Sequence, residues 1–210
     1  NDLVRQTLLG TATDIGAAGV DPVFGHGLLN VGKAIDGPAR FDWGDVTANV
    51  SQLGLDSVWR NDISGNGGLV KQGVGALGLA GRNTFTGGTR IEQGTLALRN
   101  GGSITSNVSI VAQAGSPSGA GLQFMTGASR VVGDVDNGAS VVLTSANADA
   151  TIEGDYLQRE GAQLMIALGV NALQVTGSAT LQGGGVLVNG AIAGYVPTDG
   201  RVVSTWRRTA

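Results

Sequence analysis

Residues 65–77 read Gly65-Asn66-Gly67-Gly68-Leu69-Val70-Lys71-Gln72-Gly73-Val74-Gly75-Ala76-Leu77. The chain runs on through Leu79 and Gly81 to Asn83-Thr84-Phe85-Thr86-Gly87-Gly88-Thr89 and Gly94-Thr95-Leu96. Short apolar runs cut by Gly and Asn are the grammar of β-strands joined by tight corners. The unit recurs loosely at Gly68-Leu69-Val70-Lys71, Gly94-Thr95-Leu96-Ala97-Leu98, Asn107-Val108-Ser109-Ile110-Val111, Ala139-Ser140-Val141-Val142-Leu143, Ala179-Thr180-Leu181 and Gly185-Val186-Leu187-Val188. Its spacing is roughly ten to thirty residues.

Many short strands suit a sandwich or barrel as well as a solenoid. Composition favours the solenoid. There are 37 glycines, 41% hydrophobic residues and only 4% aromatics, so the core is Val, Leu, Ile and Ala. Small aliphatic side chains fill a narrow core in which each coil buries its inner residues against the coils above and below. Glycine and asparagine belong at the corners because both tolerate positive φ. The expected fold is mainly β, a right-handed parallel β-helix over residues 59–210. At about 20–25 residues per coil this gives about six or seven coils, and a stack roughly 30 Å tall at about 4.8 Å per strand.

Residues 1–38 follow a different grammar. Leu3, Val4, Thr7 and Leu8 are spaced for one helical face, and Leu28, Leu29, Val31, Ala34 and Ile35 for another, which predicts two short helices with Leu28, Leu29 and Val31 as a buried face. Residues 10–22, rich in Gly, Asp and ending in Pro22, form an irregular connection, and Pro38 closes the region. Residues 39–58 are a transition. The first ten residues lack the pattern of a signal peptide, so Asn1 is read as lying within a longer gene product.

Leu8-Leu9-Gly10-Thr11-Ala12-Thr13-Asp14-Ile15-Gly16, Gly19-Val20-Asp21 and Gly25-His26-Gly27-Leu28-Leu29-Asn30-Val31-Gly32-Lys33-Ala34 resemble the C-terminal segment of subtilisin-like serine proteases. The resemblance implies the short α-helical remnant of a subtilisin-like α/β domain, contributing scaffold and no chemistry. The glycine-rich stretch quoted first resembles the passenger-associated transport repeat of autotransporters, at about 62–98. Residues Gly154-Asp155-Tyr156-Leu157-Gln158, Gly161-Ala162-Gln163-Leu164 and Leu173–Leu181 resemble the coils that precede the autochaperone region of such passengers. Gly78 departs from the pattern, which often has a β-forming residue there. Together these imply a subtilisin-like autotransporter serine protease passenger: the tail of the protease domain followed by a β-helical stalk. They imply as partners an upstream protease domain and a downstream autochaperone and membrane β-barrel beyond Trp206-Arg207-Arg208. They also imply export through the periplasm to the surface or surroundings of a Gram-negative bacterium.

No catalytic, cofactor or metal residue is assigned. The Gly-Thr-Ser-Met-Ala turn that marks the subtilisin nucleophile is absent from the sequence, and a Ser-His-Asp mechanism needs a histidine between serine and carboxylate. The one histidine, His26, is expected to fill a glycine-rich turn. Gly27-Leu28-Leu29-Asn30-Val31-Gly32-Lys33 has the spacing of a phosphate loop, but Ala34 stands where a magnesium-binding hydroxyl is needed. Gly73-Val74-Gly75-Ala76-Leu77-Gly78 spells a dinucleotide fingerprint inside strand grammar, where corner glycines explain it better. Gly101-Gly102-Ser103 and Gly183-Gly184-Gly185 lack the aspartate of a repeat-type calcium loop. Asp134, Asp136, Asp149, Glu153, Asp155, Arg159 and Glu160 are spread too widely for a lyase cleft and read as solvated corners.

A net charge of −3 without a basic run argues against nucleic acid as a partner. The sequence holds no apolar stretch of about twenty residues, so direct membrane insertion is not expected. It holds no cysteine, which removes thiolate metal sites and disulfides. The expected function is that of junction and stalk in an autotransporter serine endopeptidase, possessing no peptidase activity by itself and supporting passenger folding and secretion. Protein substrates of the parent or a host surface are the expected outside partners, and the sequence does not identify the substrates. The alternative is an adhesin-like β-helical module that binds a host surface, and a carbohydrate-active β-helix enzyme is a third reading.

Overall fold

The computed structural model describes residues 2–111, 119–144, 148–167, 173–189 and 204–206. Residues 190–203 and 207–210, within the expected stalk, lie outside the described residues.

The fold is a parallel β-helix. One seven-stranded sheet runs Val46–Asn49, Leu69–Gln72, Thr89–Ile91, Val108–Ile110, Val135–Asn137, Tyr156–Gln158 and Ala179–Leu181. We number the coils 1 to 7 by these strands. A second seven-stranded sheet runs Asp56–Trp59, Ala76–Leu79, Thr95–Leu98, Gly121–Phe124, Ser140–Leu143, Gln163–Ala167 and Gly185–Asn189. A third, of six strands, begins at Arg82–Asn83 and continues through Ser103–Ile104, Gly127–Val131, Ala148–Ile152 and Leu173–Val175 to Ser204–Trp206. Arg40–Phe41 pairs with Ser64–Gly65 as a separate parallel pair. The stretch 39–58, expected as a transition, thus carries the strands of coil 1.

Register shows why this sequence closes into coils. Val46 pairs with Leu69, Leu69 with Thr89, Thr89 with Val108, Val108 with Val135, Val135 with Tyr156 and Tyr156 with Ala179, so a coil takes between 19 and 27 residues. Side chains two apart face the same way, and the stacked inner positions form apolar columns. One is Leu77, Leu96, Leu122, Val141 and Leu164; its neighbour is Leu79, Leu98, Phe124, Leu143 and Ile166, all buried. Each such burial stabilises by about 2 kcal/mol. Phe41, Phe85 and Trp59 close the lower core, with ring centroids 5.0 Å apart for Phe41–Phe85 and 6.4 Å for Phe41–Trp59.

Corners are built by glycine where the chain comes closest to its neighbour. Gly73 and Gly94 have φ of 74° and 66°, and a Cβ on Gly94 would lie 2.3 Å from the Gly73 carbonyl oxygen. Elsewhere a carboxylate or amide oxygen accepts a backbone N–H from the next coil. Asp45 takes that of Gly68, Asn107 that of Asp134, Asp134 that of Asp155 and Asp155 that of Ser178, at 2.7–2.9 Å.

Below the stack sit two helices. The first, α1 (Asp2–Thr11), starts with an acidic residue in its first turn, which favours the positive end of the helix dipole. Asp2 accepts from Gln6 Nε2 at 3.0 Å and from Arg5 at 3.2 Å. The second, α2 (Val31–Ala34), is a single turn capped by Asn30, whose Oδ1 accepts the Lys33 N–H at 2.9 Å. Sequence periodicity suggested a longer helix with Leu28, Leu29 and Val31 buried, and the structure corrects this. Leu28 is instead extended, bridging Thr13, and all three side chains are exposed, Leu28 by 63%. Spacing alone cannot say whether an apolar face meets the core of the same residues or points away from it. Asn61 ties the helices to coil 1, its Nδ2 donating to the carbonyls of Lys33 and Gly37 at 2.8 and 2.6 Å.

Candidate functional site

Two places concentrate unusual chemistry: the helical base, and the corner of coils 2 and 3. The base is a surface of apolar side chains. Helix α1 buries Gln6, Gly10 and Thr11, which leaves Val4 and Leu8 exposed. Val31 and Ile35 project beside them, and Ile35 is 77% exposed. Leu3, Leu8, Ile35, Pro38, Val58 and Trp59 are among the residues that line an open groove of about 410 Å³ between helices and first coil. Of the exposed large apolar residues among those described, most lie at or before Leu55: Val4, Leu8, Ile15, Val20, Val23, Phe24, Leu28, Leu29, Val31, Ile35, Leu53 and Leu55. The others, Leu181, Val186, Leu187 and Val188, sit in coil 7.

Several polar groups at the base are engaged locally, while the Gln6 side-chain oxygen is buried with no hydrogen-bond partner among the described residues. Asp21 accepts the N–H groups of Phe24 and Val23, each at 2.7 Å, and those bonds hold its carboxyl below the usual range. His26 meets Trp43 edge-on with centroids 5.4 Å apart. The phosphate-loop-like spacing at Gly27–Lys33, set aside on the sequence, runs through the bridge from Leu28 to Thr13 and the one-turn helix in which Asn30 accepts the Lys33 N–H. Residues Gly73–Gly78 run into strand Ala76–Leu79, not into a helix.

At the corner of coils 2 and 3, Lys71 is wholly buried. Its Nζ donates to the carbonyl oxygens of Gln72 and Gly73 at 2.7 Å and of Gln93 at 3.0 Å, so all three ammonium protons are used. Burial pushes its pKa down to about 8, and the three carbonyls pull the other way by favouring the charged form. Outside this corner lies a polar hollow of about 360 Å³ that includes Gln72 and Glu92. Glu92 accepts from Arg90 and from Gln72 at 2.8 Å each, and these bonds keep its carboxyl low. The equivalent inner positions of coils 5 and 6 are also polar. Asn137 Nδ2 donates to the Tyr156 hydroxyl at 2.9 Å and to the Gln163 carbonyl at 3.1 Å. Tyr156 donates to Gln158 at 3.0 Å, and Gln158 Nε2 reaches the Gly183 carbonyl at 3.0 Å.

The scattered charges do not converge. Asp136 accepts from Arg159 by two bonds and Glu153 from Arg130 at 3.0 Å, both on the outside. Asp134 and Asp155 are corner acceptors, while Asp149 and Glu160 are exposed. Among the described residues no group of three or more His, Cys, Asp or Glu is placed to hold a metal ion, and no helix is long and apolar enough to cross a membrane. Gly78 becomes intelligible here. The Arg99 side chain crosses over it to reach Asp56 at 2.9 Å, and a Cβ on Gly78 would stand 3.0 Å from Arg99 Cδ. Sequence reasoning missed Lys71, Asn137 and Gln158, although alternation from buried Leu69 already puts Lys71 on the inner face.

Comparison with known proteins agrees with this geometry. Residues 69–98, the strands of coils 2 and 3, match the passenger-associated-transport-repeat family. The chain is 39% identical over 215 residues to the Neisserial autotransporter lipoprotein NalP of Neisseria meningitidis serogroup B, an alignment covering 97% of this chain and 18% of that protein. It is 35% identical over 143 residues to an extracellular serine protease of Serratia marcescens, covering 52% of this chain and 14% of the relative. It is 41% identical over 95 residues to serotype-specific antigen 1 of Mannheimia haemolytica, covering 45% and 10%. The solenoid and the transport repeat define a class, the β-helical passenger. Within it, the chain is a passenger-associated β-helix region of the autotransporter type, from the secreted or surface-exposed proteins of Gram-negative bacteria, and it spans under a fifth of the relatives' length.

Proposed function

We propose that the chain joins a serine endopeptidase domain to its β-helical stalk in a longer autotransporter. In this reading residues 1–38 finish a subtilisin-like domain, residues 39–58 lead into the stalk, and residues 59–210 hold the protease away from the outer membrane and support passenger folding and secretion. The parent hydrolyses proteins, whereas this chain, lacking the nucleophile turn, does not. The observation that carries the reading is the apolar base: Val4, Leu8, Val31 and Ile35, all exposed, line one groove beside the first coil. An exposed apolar groove of that kind marks a surface made to be covered. A relative named as an extracellular serine protease supports the same parentage.

A serine-directed phosphonate probe tests it. The 210-residue chain should remain unlabelled and leave a fluorogenic peptide intact, and the full gene product should be labelled at one serine upstream of Asn1. Labelling of the chain itself, or an unlabelled full product that binds host cells through residues 59–210, would replace the reading with an enzyme of another kind or with an adhesin.

A further inference from the structure

We propose that the polar hollow outside the corner of coils 2 and 3 is a binding site for an uncharged, hydroxyl-rich ligand, a sugar of one or two rings. Lys71 shapes it from behind. Its ammonium holds the carbonyl oxygens of Gln72, Gly73 and Gln93 turned toward the core. A trans peptide plane points its N–H away from its C=O, and none of the described peptide bonds is cis. The N–H groups that follow those carbonyls, on Gly73, Val74 and Gly94, are therefore turned outward. The ladder between coils 1 and 2 passes over the corner, since it is Gly75 that donates to the Val50 carbonyl, at 2.9 Å. None of the three outward N–H groups has an acceptor among the described residues.

Gly73 and Val74 form part of the wall of this hollow of about 360 Å³. The rest of the wall is polar: Asn49, Gln72 and Gln93 with their amides, Ser51 with its hydroxyl and Glu92 with its carboxylate. Charge decides what fits. An anion would meet Glu92. A cation would meet Lys71 behind the wall and Arg90 beside Glu92, whose two oxygens already accept from Arg90 and Gln72 at 2.8 Å each. An apolar ligand would find only Val74 to pack against. What remains is a neutral group that accepts and donates at neighbouring atoms. A hydroxyl does both: its oxygen takes an outward N–H, and its proton goes to Glu92, whose oxygens keep lone pairs for further bonds. Vicinal hydroxyls on a ring repeat that pairing, and the volume lies within the range of small-molecule pockets. The wall has no aromatic ring on which a sugar face could stack, so binding should be millimolar. The site stands whether or not residues 1–38 finish a protease domain.

Amide chemical-shift mapping by NMR on the full chain tests the proposal, with glucose, galactose, mannose and maltose as probes and sodium acetate and calcium chloride as charged controls. At least one sugar should move the Gly73, Val74 and Gly94 amides along saturating curves, while both salts leave them in place at matched ionic strength. Asn49→Ala, at an exposed residue, and Gln93→Ala should each weaken that sugar at least about fivefold, as the loss of one hydrogen bond would. Neither removes an acceptor of Lys71, which takes the main-chain carbonyl of Gln93. The amides remote from the corner check that each variant is folded, and either variant alone carries the comparison if the other is not. Silence with all four sugars, shifts spread over the whole chain, saturation by acetate or calcium with the sugars inert, or an affinity unchanged by the substitutions would each overturn it.

Discussion

Lys71 occupies a position that its neighbours in the column fill with Ala48 and Ile91. An amine there must bring its own acceptors, and the corner carbonyls of Gln72, Gly73 and Gln93 supply them. Lys71→Met keeps the length and removes the donors, so the carbonyls of Gly73 and Gln93 lose the ammonium while that of Gln72 keeps the Val50 N–H at 3.0 Å; chemical denaturation at pH 7 should show a loss of about 2–3 kcal/mol. The pH dependence has a definite sign. With the native pKa near 8 and the ordinary value at 10.5, the native state has released the proton between those values while the unfolded chain still holds it. Stability therefore rises with pH across that window. The gap between wild type and Lys71→Met should widen by about 2 kcal/mol from pH 7.5 to 9.5; a constant gap would mean that the carbonyls hold the ammonium at its usual value. Tyr156 works oppositely. Burial raises its pKa to about 12, so the unfolded phenol ionises first and stability falls as pH climbs above 10. Identity hid these residues from a sequence reading: lysine, asparagine and glutamine usually mark the outside of a strand, and only the strict period of two around Leu69 says otherwise.

At the scale of elements, the strands were legible. Runs such as Leu69-Val70-Lys71 and Thr95-Leu96-Ala97-Leu98 became strands because aliphatic alternation and glycine punctuation agree. Corners were legible as glycine and less so as stacked carbonyls, since the close approach of Gly94 to Gly73 depends on a residue one coil away. Gly94→Ala would place a methyl group against the Gly73 oxygen at positive φ, and thermal unfolding should reveal a loss of at least about 2 kcal/mol. The helices were read less well. Residues 28–35 have helical spacing, yet the bridge from Leu28 to Thr13 and the Asn30 cap confine α2 to one turn. The hydrogen bonds that decide this come from residues 13 and 61, distant in sequence.

At the scale of the molecule, the sequence conveyed a solenoid because its period is local and repeated, but the function of the base depends on what covers it. The serine-probe experiment belongs here, since it asks whether a surface of Val4, Leu8, Val31 and Ile35 is the underside of something larger. The polar candidates, from Asp134 to Glu160, were expected as solvated corners, and the structure adds that Asp134 and Asp155 are also connectors between coils.

The one-coil register from Leu69 to Thr89 also makes the stack a store of length. Along the axis that stretch advances the chain by only about 4.8 Å, whereas drawn straight it spans roughly 65–70 Å. Under tension the stalk should therefore behave as a ratcheted tether, lengthening by about 60 Å each time a coil of this size yields. Single-molecule pulling would show a sawtooth whose steps follow the unequal coil sizes, longest for the 27 residues between Val108 and Val135. A smooth extension curve would mean that the coils give way together.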